Sequence, residues 1–191
     1  MLKKLLSIFG VAVAILVVVV ATRPSAYHVE RSLQIDAPVA TVFGLVRDLK
    51  SWGAWSPWDK RDPDMRKTFT PTTSGVGASY AWEGNKKVGQ GKMTITDEQP
   101  PERLVERLEF IEPFQSVAET SFTFKPAGTA GTRATWALDG NNNFVGKAFG
   151  LVMNMDRLIG GDFEDGLANL KRISEAAKPA APPAQMLGNA P

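Results

Sequence analysis

Three charged residues stand where an apolar side chain is expected. The segment Tyr27–Asp36 alternates, with Tyr27, Val29, Leu33 and Ile35 on one face, and Arg31 falls on that apolar face. Glu106 lies among Leu104, Leu108 and Phe110, and Asp156 sits in an apolar helical stripe between Val152 and Ile159. A buried charge must be paired or must shift its pKa. Three arrangements satisfy that rule. Each residue sits at the open rim of its element, or Arg31 and a carboxylate form a structural pair, or the three converge in the cavity on a ligand's polar head, where they would orient it or act as acid and base. Aromatic residues at alternating positions come next: Tyr80, Trp82, Phe110, Phe122, Phe124 and Trp136. They are core formers that can also wall a cavity. Tyr80 brings a hydroxyl and the tryptophans an indole donor for a ligand's polar group.

Other chemistry is scarce. The single histidine, His28, lies on the polar face of its strand, and there is no cysteine. Thiolate catalysis, disulfides, Cys-based zinc sites, His-rich metal sites and His-dependent triads are therefore not expected, and no cofactor is. The glycines Gly75/Gly77 and Gly89/Gly91 lack the strand-to-helix setting of a nucleotide loop. Removing Lys3 and Lys4 from the 22 Lys and Arg leaves 20, against 20 Asp and Glu. A neutral domain gives no electrostatic reason to expect nucleic acid.

The elements that must position these residues follow from periodicity. Residues 5–21 are unbroken apolar sequence after Lys3 and Lys4, spanning about 26 Å as a helix against a hydrocarbon core of about 30 Å. We read residues 1–22 as a single-pass membrane anchor or uncleaved signal segment. The flanking lysines favour the inside for the N-terminus, which puts the soluble domain on the periplasmic or extracytoplasmic side of the inner or cell membrane. Residues 23–26 are a short linker, 27–177 one domain, and 178–191 an Ala/Pro-rich tail expected to be disordered.

Within the domain, Tyr27–Asp36 is the first strand. Pro38 opens a helix carrying Val39, Val42, Phe43 and Val46. A Trp-rich loop follows, in which Trp52, Trp55 and Trp58 pack a junction, gate a cavity or rest in the membrane interface. Six further strands are expected over Met65–Thr70, Ala78–Trp82, Val88–Thr96, Arg103–Ile111, Val117–Lys125 and Thr132–Asp139. Their short, turn-rich connections make an antiparallel meander. From Val145 the period switches to helical and continues to Ala177. Gly160 and Gly161 in its middle imply a kink or a close backbone approach. The expected fold class is α+β: a seven-stranded curved antiparallel sheet around a long C-terminal helix, with an N-terminal transmembrane helix.

This order resembles the SRPBCC (START/Bet v 1-like) superfamily, in its polyketide cyclase/dehydrase-like subgroup. The resemblance spans nearly the whole soluble part. It is carried by Arg31-Ser32 through Ile35 to Ala37-Pro38 with Val42-Phe43, Trp52 with Trp55-Ser56-Pro57-Trp58, Gly89–Ile95, Leu108-Glu109-Phe110 with Pro113-Phe114, Met155-Asp156-Arg157 to Asp162-Phe163, and Gly166–Lys171. It implies a helix-grip fold with a cavity between sheet and C-terminal helix, and an apolar small molecule or lipid as partner. The functional expectation is a membrane-anchored binding protein with Arg31, Tyr80, Trp82, Glu106, Phe110, Phe122, Phe124, Trp136 and Asp156 as site residues. Two alternatives stand beside it: a cyclase/dehydratase-like enzyme, and a protein-interaction module with a filled cavity.

Overall fold

A computed structural model describes residues 2–151 and 154–177; the tail expected at 178–191, and Val152 of the helical stripe, lie outside them. Helix α1 (Leu2–Thr22) is followed by β1 (Ala26–Ile35), α2 (Val39–Arg47), a 3-10 turn at Leu49–Ser51, and the short helices α3 (Trp52–Trp55) and α4 (Pro57–Arg61). Then come β2 (Arg66–Phe69), β3 (Ser79–Glu83), β4 (Gln90–Gln99), β5 (Arg103–Glu112), β6 (Ser116–Ala127), β7 (Gly131–Asn141), α5 (Phe144–Phe149) and α6 (Met155–Ala176). The expected α+β architecture is present. All seven strands form one antiparallel sheet in the order β1-β7-β6-β5-β4-β3-β2, so the first strand closes the meander beside the last. The length and apolar composition of α1 are those of a membrane span or of a signal sequence.

Two expectations about elements need correction. The Trp-rich segment is a run of short helices, not a loop. The helix expected from Val145 to Ala177 is two helices. Asn143 caps α5 by accepting from the Gly146 N–H at 2.9 Å, and Asn154 caps α6 by accepting from Arg157 N–H at 3.2 Å. Each asparagine satisfies an orphan donor and fixes a helix start. Of the two readings of the glycine pair, the close approach is the one found, since α6 runs through both glycines. A Cβ at Gly160 would fall 2.0 Å from the Arg31 guanidinium.

The concave face of the sheet is half filled. Phe43 and Val46 from α2, Trp52 and Trp55 from α3, and Leu104, Ile95, Phe122 and Phe124 from the strands are buried together. Trp136 is the hub. It stacks on Phe163 of α6 at 4.0 Å between ring centroids and on Phe122 at 4.8 Å, and meets Trp52, Trp55 and Trp58 edge-on. Gly166 lets α6 seat on this hub, since a Cβ would stand 2.7 Å from the Trp136 ring and 3.3 Å from Pro57. Alanine at 166 gains about 1 kcal/mol of helix propensity but overpacks two rigid rings at about 1–3 kcal/mol. Gly166→Ala is therefore expected to lower the urea midpoint rather than raise it.

A half-open aromatic cavity

The other half of the concave face is a cavity of about 380 Å³. Its wall comes from alternate residues of four strands: Tyr80 and Trp82 on β3, Met93 on β4, Leu108 and Phe110 on β5, and Thr120 on β6. Trp136 and Leu138 on β7 continue it. Leu158, Ile159 and Phe163 of α6 form the roof, and Trp52, Ser56 and Trp58 close one side. Alternation forces this grouping, because every second residue of a strand points to one face. Gly91, opposite Trp82 in the β3–β4 register, leaves room for that indole. A Cβ at 91 would lie 2.4 Å from the Trp82 ring.

The wall is apolar with few polar points. The Trp82 indole donates to the Val88 carbonyl at 3.2 Å, and the Trp136 indole donates to Thr120 Oγ1 at 2.8 Å. Thr120 in turn donates to the Ala137 carbonyl at 2.8 Å. Both indole donors are thus engaged within the protein. Tyr80 is buried, and its hydroxyl makes no hydrogen bond with the described residues. Its phenol is pushed upward by burial first, then by the nearby Glu106 and Asp59 carboxyls. Asp59, paired with Lys67, and Asp162, paired with Arg61, also reach the wall.

Glu106 sits where the filled half meets the open half. It pairs with Ile95 on one side and Thr120 on the other, beside a register shift in β4 between Ile95 and Asp97. It is fully buried, and neither carboxyl oxygen finds a hydrogen-bond partner among the described residues. Burial pushes its pKa well above the usual carboxylate range, which favours the neutral form.

The residues singled out from sequence do not all meet. Tyr80, Trp82, Phe110 and Trp136 line the cavity. Phe122 and Phe124 are packed in the filled half, and Glu106 lies between the halves. Arg31 and Asp156 meet each other away from the cavity wall. Arg31 reaches from β1 to α6, donating to Asp156 Oδ1 at 2.8 Å and to Glu164 Oε1 at 2.7 Å. Its guanidinium hydrogen bonds hold Asp156 below the ordinary aspartate pKa. This is the structural-pair arrangement, a clamp that fastens α6 along β1. The sign for pH follows. The clamp is intact above the ordinary aspartate pKa and is lost as pH falls through the lowered value. Acid titration followed by the Asp156 carboxyl NMR signal should report that loss, and Arg31→Met should return the signal to the ordinary aspartate range.

Sequence reasoning did not single out Leu138, Phe163, Ile159 or Asp162 as wall residues. Leu138 shares the inward face of β7 with Trp136, so the alternation that found Trp136 also contains it. The α6 contacts depend on how the helix is rotated on the sheet, and periodicity alone does not fix that.

Comparison with known proteins agrees with the architecture. A family model described as polyketide cyclase / dehydrase and lipid transport matches residues 26–175. Among solved structures, a Chromobacterium violaceum protein aligns over 80% of this chain and 99% of its own length, at 13% identity and a TM-score of 0.56. A Helicobacter pylori protein aligns over 78% of this chain and 88% of its own, at 13% identity and a TM-score of 0.60. DynU16, a protein of the dynemicin biosynthetic locus, aligns over 80% of this chain at 19% identity and a TM-score of 0.54. The match spans 48% of DynU16, about half of it. At these identities the likeness is one of fold. No curated protein matches the sequence.

Proposed function

The chain belongs to the polyketide cyclase / dehydrase and lipid transport family, and from that premise we propose that it is a membrane-anchored binding protein for a small apolar or amphipathic molecule. The observation that carries this reading is the cavity itself. A volume of about 380 Å³ lies near the lower end of the roughly 300–1,000 Å³ typical of small-molecule sites. That size suits a compact, ring-bearing molecule better than a two-chain phospholipid. The wall supplies aromatic faces for such a body. Tyr80, with its unengaged hydroxyl, supplies a point for a neutral polar head. Helix α1 supplies the tether, and the apolar ligand would then be exchanged with the bilayer beside it.

Binding is favoured over acid–base chemistry because Arg31, Glu106 and Asp156 are not gathered at the cavity, and the carboxylates that reach its wall, Asp59 and Asp162, are held in ion pairs with Lys67 and Arg61. Arg31 and Asp156 are spent on each other, and the Glu106 oxygens are covered. Proton transfer needs the acid within hydrogen-bond reach of the reacting group.

The test uses the neutral dye N-phenyl-1-naphthylamine with the full chain in lipid nanodiscs. Leu108→Trp directs an indole into the cavity from a wall position that is only partly buried. The wild-type chain is expected to add a saturable emission step above the lipid background. The variant should need at least about tenfold more dye, equivalent to about 1.4 kcal/mol. Equal titrations of wild type and variant would remove the cavity as the binding place.

A further inference from the structure

The two ends of the sheet are chemically different. Strand register places Ala26 opposite Asn141, Gly140 opposite Ala118, and Ser116 opposite Phe110. One end of the sheet therefore gathers the start of β1, the end of β7 and the β5–β6 turn. It is also the end at which α1 enters the domain. Val20 of α1 is buried there, and Lys147 of α5 reaches the Ala21 carbonyl at 3.4 Å.

The exposed apolar side chains sit at the same end. Outside α1, the large hydrophobic residues left exposed among the described residues are, with the exception of Val76, those of the β5–β6 turn and the strand ends beside it, α5 and the first turn of α6. Phe114 is 63% exposed, and Phe144, Phe149 and Leu158 each 50% or more. Phe114 and Phe149 meet at 6.2 Å between centroids, so two separate segments make one patch. Soluble surfaces scatter such residues singly, whereas a contiguous patch marks an interaction site. Leu158 also lines the cavity, as does Phe110, which leads into the turn. The patch is thus continuous with the cavity's rim.

We propose that this end of the domain is a bilayer-docking surface, in which Phe114, Phe144, Phe149 and Leu158 sink into the lipid interface and open the cavity rim directly onto the membrane. The partner is a lipid surface rather than a protein, because the exit of α1 lies within the patch. The proposal rests on reading α1 as the membrane span. Given that span, the short linker between Thr22 at the end of α1 and Ala26 at the start of β1 leaves this end facing the headgroups. Apolar faces of this kind settle about 5–10 Å into the headgroup and acyl boundary.

The chain has no cysteine, so single labels report one position each. Full-length Gly10→Cys, Phe114→Cys, Phe149→Cys and Thr129→Cys would each carry an environment-sensitive fluorophore, in phosphatidylcholine–phosphatidylglycerol vesicles with chains brominated near the glycerol. Position 10 lies in α1, and position 129 in the β6–β7 turn at the opposite end. The labels at 114 and 149 should be quenched roughly half as strongly as that at 10 or more, and the label at 129 not at all. Quenching at 10 with none at 114 and 149 would overturn the docking surface and leave the anchor standing. Shielding of 114 and 149 from water without quenching, as a second copy or a protein partner would give, overturns the docking surface in the same way. No quenching at any of the four would overturn the anchor and the docking surface together.

Discussion

Alanine in place of Trp136 is expected to remove a large share of the domain's stability. Trp136 is 2% exposed, stacks on Phe163 and Phe122, and receives the edges of three further tryptophans. Truncating a buried tryptophan costs about 3–5 kcal/mol, in a domain whose total is on the order of 5–15 kcal/mol. The loss should exceed that of an ordinary core site because β7, α3, α4 and α6 meet on this one ring. Thr120 would also lose the indole it accepts from. Urea unfolding of the full chain in micelles, followed by near-ultraviolet circular dichroism, measures the effect. Trp136→Phe keeps one ring and should fall between. If Trp136→Ala cost under about 1 kcal/mol, the site would be collapsing freely. The half-filled face would then not be the rigid support the cavity needs.

Glu106 should behave in the opposite way, as a residue whose removal strengthens the fold. Its carboxyl is fully buried with no hydrogen-bond partner among the described residues, a situation that costs about 1–3 kcal/mol. Glu106→Leu is expected to recover about that much at pH 7. The pH dependence has a definite sign. Below the ordinary value of 4.5 both the folded and the unfolded chain hold the proton, and Glu106 adds no slope. Above it the unfolded chain ionises while the folded one, its pKa raised by burial, stays protonated. Stability therefore falls as pH rises, by at most about 1.4 kcal/mol per unit. The fall continues until pH passes the folded value. Glu106→Gln should abolish this slope, and unfolding midpoints compared at pH 5 and pH 8 would show it. A marked destabilisation by Glu106→Leu would mean that the carboxyl has an energetic partner and belongs to a working site.

A residue that weakens the fold invites a reason outside the fold. Buried unsatisfied polar groups are few in native proteins. Glu106 borders Thr120 of the cavity wall and lies near Tyr80. Of these three, Tyr80 and Thr120 line the cavity, while the Glu106 oxygens lie covered behind the wall.

Much of this was legible from the residues. Period-two alternation located all seven strands, and the faces it assigned put Tyr80, Trp82, Phe110 and Trp136 together on the concave side. What alternation does not carry is depth along a strand. Phe122 and Phe110 have the same pattern, yet α2 and α3 cover the first and leave the second on a rim. A structural pair of Arg31 with a carboxylate was legible as one reading of the misplaced charges, but not that Asp156 completes it, since that contact depends on the register of α6 against β1. The separate starts of α5 and α6 were written in Asn143 and Asn154, which a pattern of apolar spacing overlooks. The exposed patch was hidden for a different reason. An exposed phenylalanine and a buried one are the same letter, and only the sheet register reveals that the exposed ones collect beside the exit of α1.

The central claim is that the open half of the concave face holds a small apolar molecule. Native mass spectrometry of the full chain, extracted from membranes without added ligand, tests it most directly. The wild-type chain should carry a bound small-molecule mass that is released on unfolding, and Leu108→Trp should carry none. A chain that is empty in every preparation, and whose mass spectrum matches that of Leu108→Trp after incubation with a membrane lipid extract, would contradict the account.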